Sequence, residues 1–116
     1  MNTQQNTKSA SCPLYSNLAG DPDFSDLLHD FVNNLSHRQQ SLKECLDKNE
    51  PERLTRIIHQ LKGACGGYGF PTLTEAARIL EDHLRQVRSL DEIRTEIEVF
   101  IETLSLATAE LPKPRH

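Results

Sequence analysis

The chain contains no tryptophan, and aromatic residues make up only 5% of its 116 positions. With so few rings, leucine and isoleucine must fill most of the interior. Basic residues are not in surplus either: 13 Lys and Arg stand against 17 Asp and Glu, a net charge of −4. That balance argues against nucleic acid as the main partner, because neutralising phosphates takes a basic excess. It argues equally against a basic helix lying on a membrane. No apolar run approaches the length of a spanning helix. Residues Met1–Ala10 are polar and lack the apolar centre of a signal peptide, so the expected location is the cytoplasm. The three cysteines, Cys12, Cys45 and Cys65, are odd in number and irregularly spaced, which makes no disulfide framework. Cys45 and Cys65 fall at core-facing positions, where a free thiol acts as a small hydrophobe. No internal repeat and no strand-type alternation stand out. The length suits one domain.

What is present is helical periodicity. Residues 1–13 read as a disordered segment, 14–108 as the folded domain and 109–116 as a flexible tail. Leu14, Tyr15 and Leu18 are apolar enough to fold back onto the domain, as a short N-terminal helix or a helix extension. Asp21 is the candidate N-cap of the first long segment, with Pro22 at its first helical position. Its stripe is Phe24, Leu27, Leu28, Phe31, Leu35, Leu42, Cys45 and Leu46. The Asn33-Asn34 pair is a candidate bend, and Asn49 a stop. The second segment runs from Pro51 to about Gly66, with Leu54, Ile57, Ile58, Leu61, Ala64 and Cys65 on its apolar side. It ends in Gly66-Gly67-Tyr68-Gly69, a strong stop signal. The third opens at Pro71-Thr72 and aligns Leu73, Ala76, Ala77, Leu80, Leu84 and Val87. Ser89 or Asp91 caps the fourth, which carries Ile93, Ile97, Phe100, Ile101 and Leu104. Short connections and stripes of this width predict an all-α, antiparallel four-helix bundle.

The chemistry concentrates on the outer face of the second segment. At about 100° per residue, His59 falls roughly 150° from the centre of the apolar stripe and points to solvent. Gly63 lies within about 40° of it on the helical wheel and Gly66 within about 20°, so the ridge beyond this histidine is stripped of side chains. Glycine inside a helix costs about 1 kcal/mol relative to alanine, and close approach of another surface is a good reason to accept that cost. Lys62 is His59's neighbour along the helix. An ammonium beside an exposed imidazole suits holding the oxygens of a phosphoryl group on that ring. An imidazole with an ordinary pKa near 6.5 is mostly neutral at pH 7, and its bare nitrogen can attack phosphorus. No Walker loop and no kinase motif set is present, so the phosphoryl donor must be another protein or domain.

The run His59-Gln60-Leu61-Lys62-Gly63-Ala64-Cys65-Gly66-Gly67-Tyr68-Gly69-Phe70 resembles the phosphoacceptor segment of histidine-containing phosphotransfer (HPt) domains. Leu73, Ala76, Ala77, Leu80 and Glu81 are similar to the helix that follows it in that family. The resemblance covers residues 14–108 in length and helix order. It implies a phosphorelay carrier. His59 would take a phosphoryl group on Nε2 from the Asp of one receiver domain and pass it to the Asp of another. It also implies that Lys62 steadies the phosphoryl oxygens, Gly63 clears space for the receiver, and Gly69 permits the tight turn after the helix, with Gly67 beside it. Glu81 matches a position whose polar residue contacts the histidine region. Gln60 and Gly66 lie where a partner would touch. Response-regulator receivers and a hybrid sensor kinase are the implied partners. The receiver would bring the acidic pocket and its Mg²⁺, so no cofactor or metal of the chain's own is expected, and the chain reads as a carrier and not an enzyme. A monomer is expected, because one bundle satisfies the stripes.

Plainer readings stand beside these. Lys62 can be an ordinary solvated charge, and Gly66 and Gly69 a helix stop. His29, His37, His83 and His116 lack metal-ligand spacing and read as surface or packing residues. Glu92, Glu96, Glu98 and Glu102 read as a solvated face, and Glu75 as a helix-spaced partner of Arg78. Two other functions fit the same chain: a helical docking module that carries no phosphate, or the phosphoacceptor domain of an adjoining autokinase of the hybrid or chemotaxis type.

Overall fold

The computed structural model describes residues 12–112. The expected disorder of residues 1–11, the loose end at 113–116 and the surface reading of His116 lie outside these. The described chain is mostly helical. Strand β1 (Leu14–Tyr15) is followed by α1 (Ser25–Lys48), α2 (Pro51–Gly67) and α3 (Pro71–Leu84). A 3-10 turn (Leu90–Ile93) then leads into α4 (Arg94–Leu104), and β2 (Ala107–Thr108) comes last.

The helices bury the stripes that periodicity marked. Leu28, Leu35, Leu42, Cys45 and Leu46 of α1 meet Leu54, Ile57, Ile58, Leu61 and Cys65 of α2. Leu73, Ala77 and Leu80 of α3 and Ile97, Phe100, Ile101 and Leu104 of α4 close the same core. Polar and ring contacts tie neighbouring helices together. Arg38 reaches Gln60, and Phe31 stacks on Tyr68. His59 reaches Glu81, and Gly66 faces Thr74. Between α1 and α4, Gln39 bonds the carbonyl of Ile101 and Arg94 that of Leu46. Proline sits in the first turn of α2 and of α3, where its missing N–H costs nothing. Asn49 ends α1 in the left-handed conformation, with φ 55°, as a stop residue should.

Several expectations need correction. The first long helix begins at Ser25, not Pro22. The Asp21 side chain accepts from the backbone N–H of Asp23 at 2.9 Å, and its carbonyl from Phe24, so residues 21–24 form a turn ahead of the helix. Phe24 and Leu27 then lie off the core, with Leu27 52% exposed. The Asn pair makes no bend. Asn34 Nδ2 donates to the Asp30 carbonyl and α1 runs through unbroken. Helix α3 stops at Leu84, short of Val87, and the last segment opens as a 3-10 turn before becoming α-helical at Arg94.

The N-terminal segment is not an extra helix. Leu14–Tyr15 pairs in parallel with Ala107–Thr108, joining the two ends of the fold. Two-residue strands are too short to show a period of two, which is why the sequence hid them. Ser16 and Asn17 strap the turn after α2. Ser16 Oγ donates to the Tyr68 carbonyl at 2.5 Å and Asn17 N–H to the Gly69 carbonyl at 2.8 Å. At the other end, Ala109 is buried and the Leu111 side chain lies over Gly20.

Candidate functional site

Helix α2 presents two unlike faces. Its inner face is in the core, and its outer face carries His59, whose side chain is 65% exposed. The helical phase therefore places this residue correctly. Around it the surface is a ridge. A side chain built at Gly63 or Gly67 meets nothing within 4 Å, and one at Gly66 meets only the Thr74 side chain, at 3.7 Å. Gln60, beside His59, accepts from Arg38 Nη1 across the α1–α2 seam at 3.1 Å.

The polar centre of the site is Glu81, on α3. Its side chain is only 7% exposed, yet both carboxylate oxygens are engaged. Lys62 Nζ donates to Oε1 at 2.7 Å, and His59 Nδ1 lies 2.7 Å from Oε2. A second lasting cation, Arg85 Nη2, stands 3.9 Å from Oε2, one turn along α3. The hydrogen bond from Lys62 holds the Glu81 carboxyl below its usual range. Burial opposes this, and the His59 contact adds to the lowering. Glu81 is therefore an ionised acceptor at neutral pH. The His59 contact then needs a proton on Nδ1.

Gly69 has φ +81°, and a Cβ there would stand 2.8 Å from Ser16 Oγ and 3.0 Å from the Asn17 nitrogen. Two constraints thus converge on glycine: a left-handed backbone and a strap laid across it. Phe31 stacks on Tyr68, ring centroids 4.4 Å apart, and fixes the same turn from the α1 side.

His59, Lys62 and Glu81 therefore come together in one contact group, with Gly63 and Gly66 on the adjoining ridge. Gln60 points to α1, and Gly67 and Gly69 belong to the end of the helix. Sequence reasoning missed Arg85, Arg38 and Ser16. Arg85 has a visible signal, four residues after Glu81 on one helix. Arg38 and Ser16 have none, because their contacts span 22 and 52 positions of the chain.

The remaining titratable residues fall into ordinary roles. Cys45 and Cys65 are fully buried, and burial pushes the Cys65 thiol up to about 11. Glu75 pairs with Arg78, whose hydrogen bond lowers its carboxyl pKa. His29 bonds its own helix at the Ser25 carbonyl, and His83 pairs with Glu96. Among the described residues, no group of three or more His, Cys, Asp or Glu is placed to hold a metal ion. None of their helices is long and apolar enough to cross a membrane.

Comparison with known proteins identifies the pattern. A family model described as "Hpt domain" matches residues 26–110. The chain is 26% identical over 96 residues to the signal transduction histidine-protein kinase BarA of Shigella flexneri, and to that of Escherichia coli strain K12. The match takes in 82% of this chain but only 10% of either kinase, so the chain spans about a tenth of the length of those relatives. No solved structure matches at the same level of significance.

Proposed function

The chain belongs to the Hpt domain family, and from that premise we propose that it is a phosphorelay carrier whose phosphoacceptor is Nε2 of His59. The observation that supports this most directly is the pairing of an exposed imidazole with a buried carboxylate on its Nδ1 side. That arrangement aims the bare nitrogen outward, where a partner's phosphoryl group can meet it. His59 stands on a ridge and not in a cavity, so the concave part of the reaction site must come from the partner.

In the proposed step, the Nε2 lone pair attacks the phosphorus of an aspartyl phosphate on a receiver domain. The Nε2–P bond forms as the bond from phosphorus to the Asp oxygen breaks, and the Asp carboxylate leaves with the electron pair. The ring then carries a positive charge, shared with Nδ1–H, which faces Glu81. Passing the phosphoryl group to a second receiver reverses these bonds and returns a neutral ring. Such transfers depend on positioning and charge neutralisation more than on covalent help. On this reading the receiver brings the Mg²⁺, and the chain is a carrier and not an enzyme. It works in the cytoplasm, as a monomer with its four helices in an antiparallel bundle. Gly63 and Gly66 let the receiver surface approach, and Gln60 lies at the rim of the contact. Receivers of response regulators and of a hybrid kinase are the partners this reading calls for. The name of the BarA relatives accords with such a setting.

The test is transfer of labelled phosphate to this chain from a set of phosphorylated receiver domains with Mg²⁺, beside His59→Gln. Acid-labile label on the wild type and none on the variant is the expected result. Receivers that bind both proteins equally well but transfer nothing would make this a docking module instead. Label arriving from ATP with a kinase domain, and never from a receiver, would favour the autokinase reading.

A further inference from the structure

Glu81 sets up an electrostatic problem. A buried carboxylate that donors satisfy on both oxygens still needs its charge answered. Three cationic or potentially cationic groups lie within 4 Å of it: Lys62 and His59 at 2.7 Å each, and Arg85 at 3.9 Å. Arg85 is largely committed elsewhere. Its side chain is 65% exposed, and Nη1 donates to Asp82 at 2.9 Å. From α1, Arg38 is occupied by Gln60. The charge of Glu81 is thus answered either by Lys62 or by a doubly protonated His59. Only the first leaves an electron pair on Nε2.

We propose that Lys62 acts on His59 through Glu81: by balancing the buried carboxylate, it lets Glu81 hold the Nδ1–H of His59 without drawing a second proton onto Nε2. Lys62 is then a positioning residue in the resting protein, before any phosphoryl group arrives. Its Nζ already makes a charge-assisted hydrogen bond to the carboxylate in the resting protein. The inference deepens the phosphocarrier reading, because a bare Nε2 is the form that attacks phosphorus. It rests on that reading only for its consequence; the coupling itself belongs to the unphosphorylated chain.

The test uses long-range ¹H–¹⁵N spectra of the histidine rings in the whole chain at slightly alkaline pH, with His59 assigned by its loss in His59→Gln. The wild type should show Nδ1 protonated and Nε2 bare. In Lys62→Met, the ratio of doubly protonated to neutral His59 should rise about tenfold, the effect of losing one charge at hydrogen-bonding range. Lys62→Gln, which keeps a donor without the charge, should move the ring the same way and serves if Lys62→Met folds poorly. Lys62→Arg should restore the wild-type spectrum. In a Glu81→Gln background, Lys62→Met should change nothing further. An unchanged ring in both Lys62→Met and Lys62→Gln would overturn the proposal. So would an equal change with and without the Glu81 carboxylate, because Lys62 would then act on the ring directly. Phosphotransfer is scored separately. A chain that shows this coupling but takes no phosphate keeps the coupling and loses the carrier reading.

Discussion

Two histidine–glutamate pairs in this molecule have the same contact and different surroundings. His59 Nδ1 meets Glu81 at 2.7 Å and His83 Nδ1 meets Glu96 at 2.5 Å, each joining neighbouring helices. By distance alone the second pair is the tighter. Glu96, however, is 43% exposed and Glu81 only 7%. Water screens Glu96 and leaves its histidine partner on the surface. At Glu81 the core withholds water, and the carboxylate is shared between His59 and Lys62 at 2.7 Å each. What separates a reactive-looking histidine from a decorative one is the burial of its partner.

The largest expected effect is on chemistry. Phosphoryl acceptance should vanish in His59→Gln and persist in His83→Gln, read as acid-labile label after incubation with a phosphorylated receiver. Loss of label in both variants would mean that the two pairs are not functionally distinct.

A second contrast lies between a glycine of the turn and a glycine of the ridge. Gly69→Ala forces an L-residue into a left-handed backbone and into the Ser16 strap, and should cost at least about 2 kcal/mol. Gly63→Ala meets open space in mid-helix and should stabilise by about 0.5–1 kcal/mol. Urea unfolding of the two variants checks the opposite signs. Two destabilised variants would place a hidden contact at Gly63.

Removing the carboxylates themselves gives a smaller difference. Glu81→Gln should lose about 1–3 kcal/mol of stability, since charge-assisted bonds to a buried acceptor are replaced by weaker ones. Glu96→Gln should stay within about 0.5 kcal/mol. Thermal unfolding of both, side by side, measures the gap.

The smallest effect is the pH dependence of that gap. Glu81 has a folded pKa below its unfolded one. As pH falls, the unfolded chain takes up this proton first. Its stabilisation is therefore complete above the unfolded pKa and is lost as pH drops through the folded value. The stability difference between wild type and Glu81→Gln should shrink on acidification across that window. A difference that grows with acid would show that the carboxylate is not held ionised by Lys62 and His59.

Much of this was legible in the chain itself. The inner faces of all four helices follow from leucine and isoleucine at helical spacing, since a repeat of 3.6 leaves its mark wherever one side is buried. The exposure of His59, its smooth neighbours at Gly63 and Gly66, and the helix stop at Gly66–Gly69 are equally local facts. Each depends on residues within two turns of one another. Boundaries were less secure where a side chain turned back on its own backbone, as Asp21 does, or where a strand was only two residues long, as at Leu14–Tyr15.

What the tertiary structure decided is everything that joins distant segments. No local pattern shows that Glu81 is buried beneath both His59 and Lys62, that Arg38 reaches Gln60, or that Ser16 lies across Gly69. The sequence by itself determined which residue faces outward, because helical phase is a property of the near neighbourhood. Only the packing of α3 against α2 decided which nitrogen of that residue meets a buried carboxylate, because that carboxylate is brought up from elsewhere in the chain.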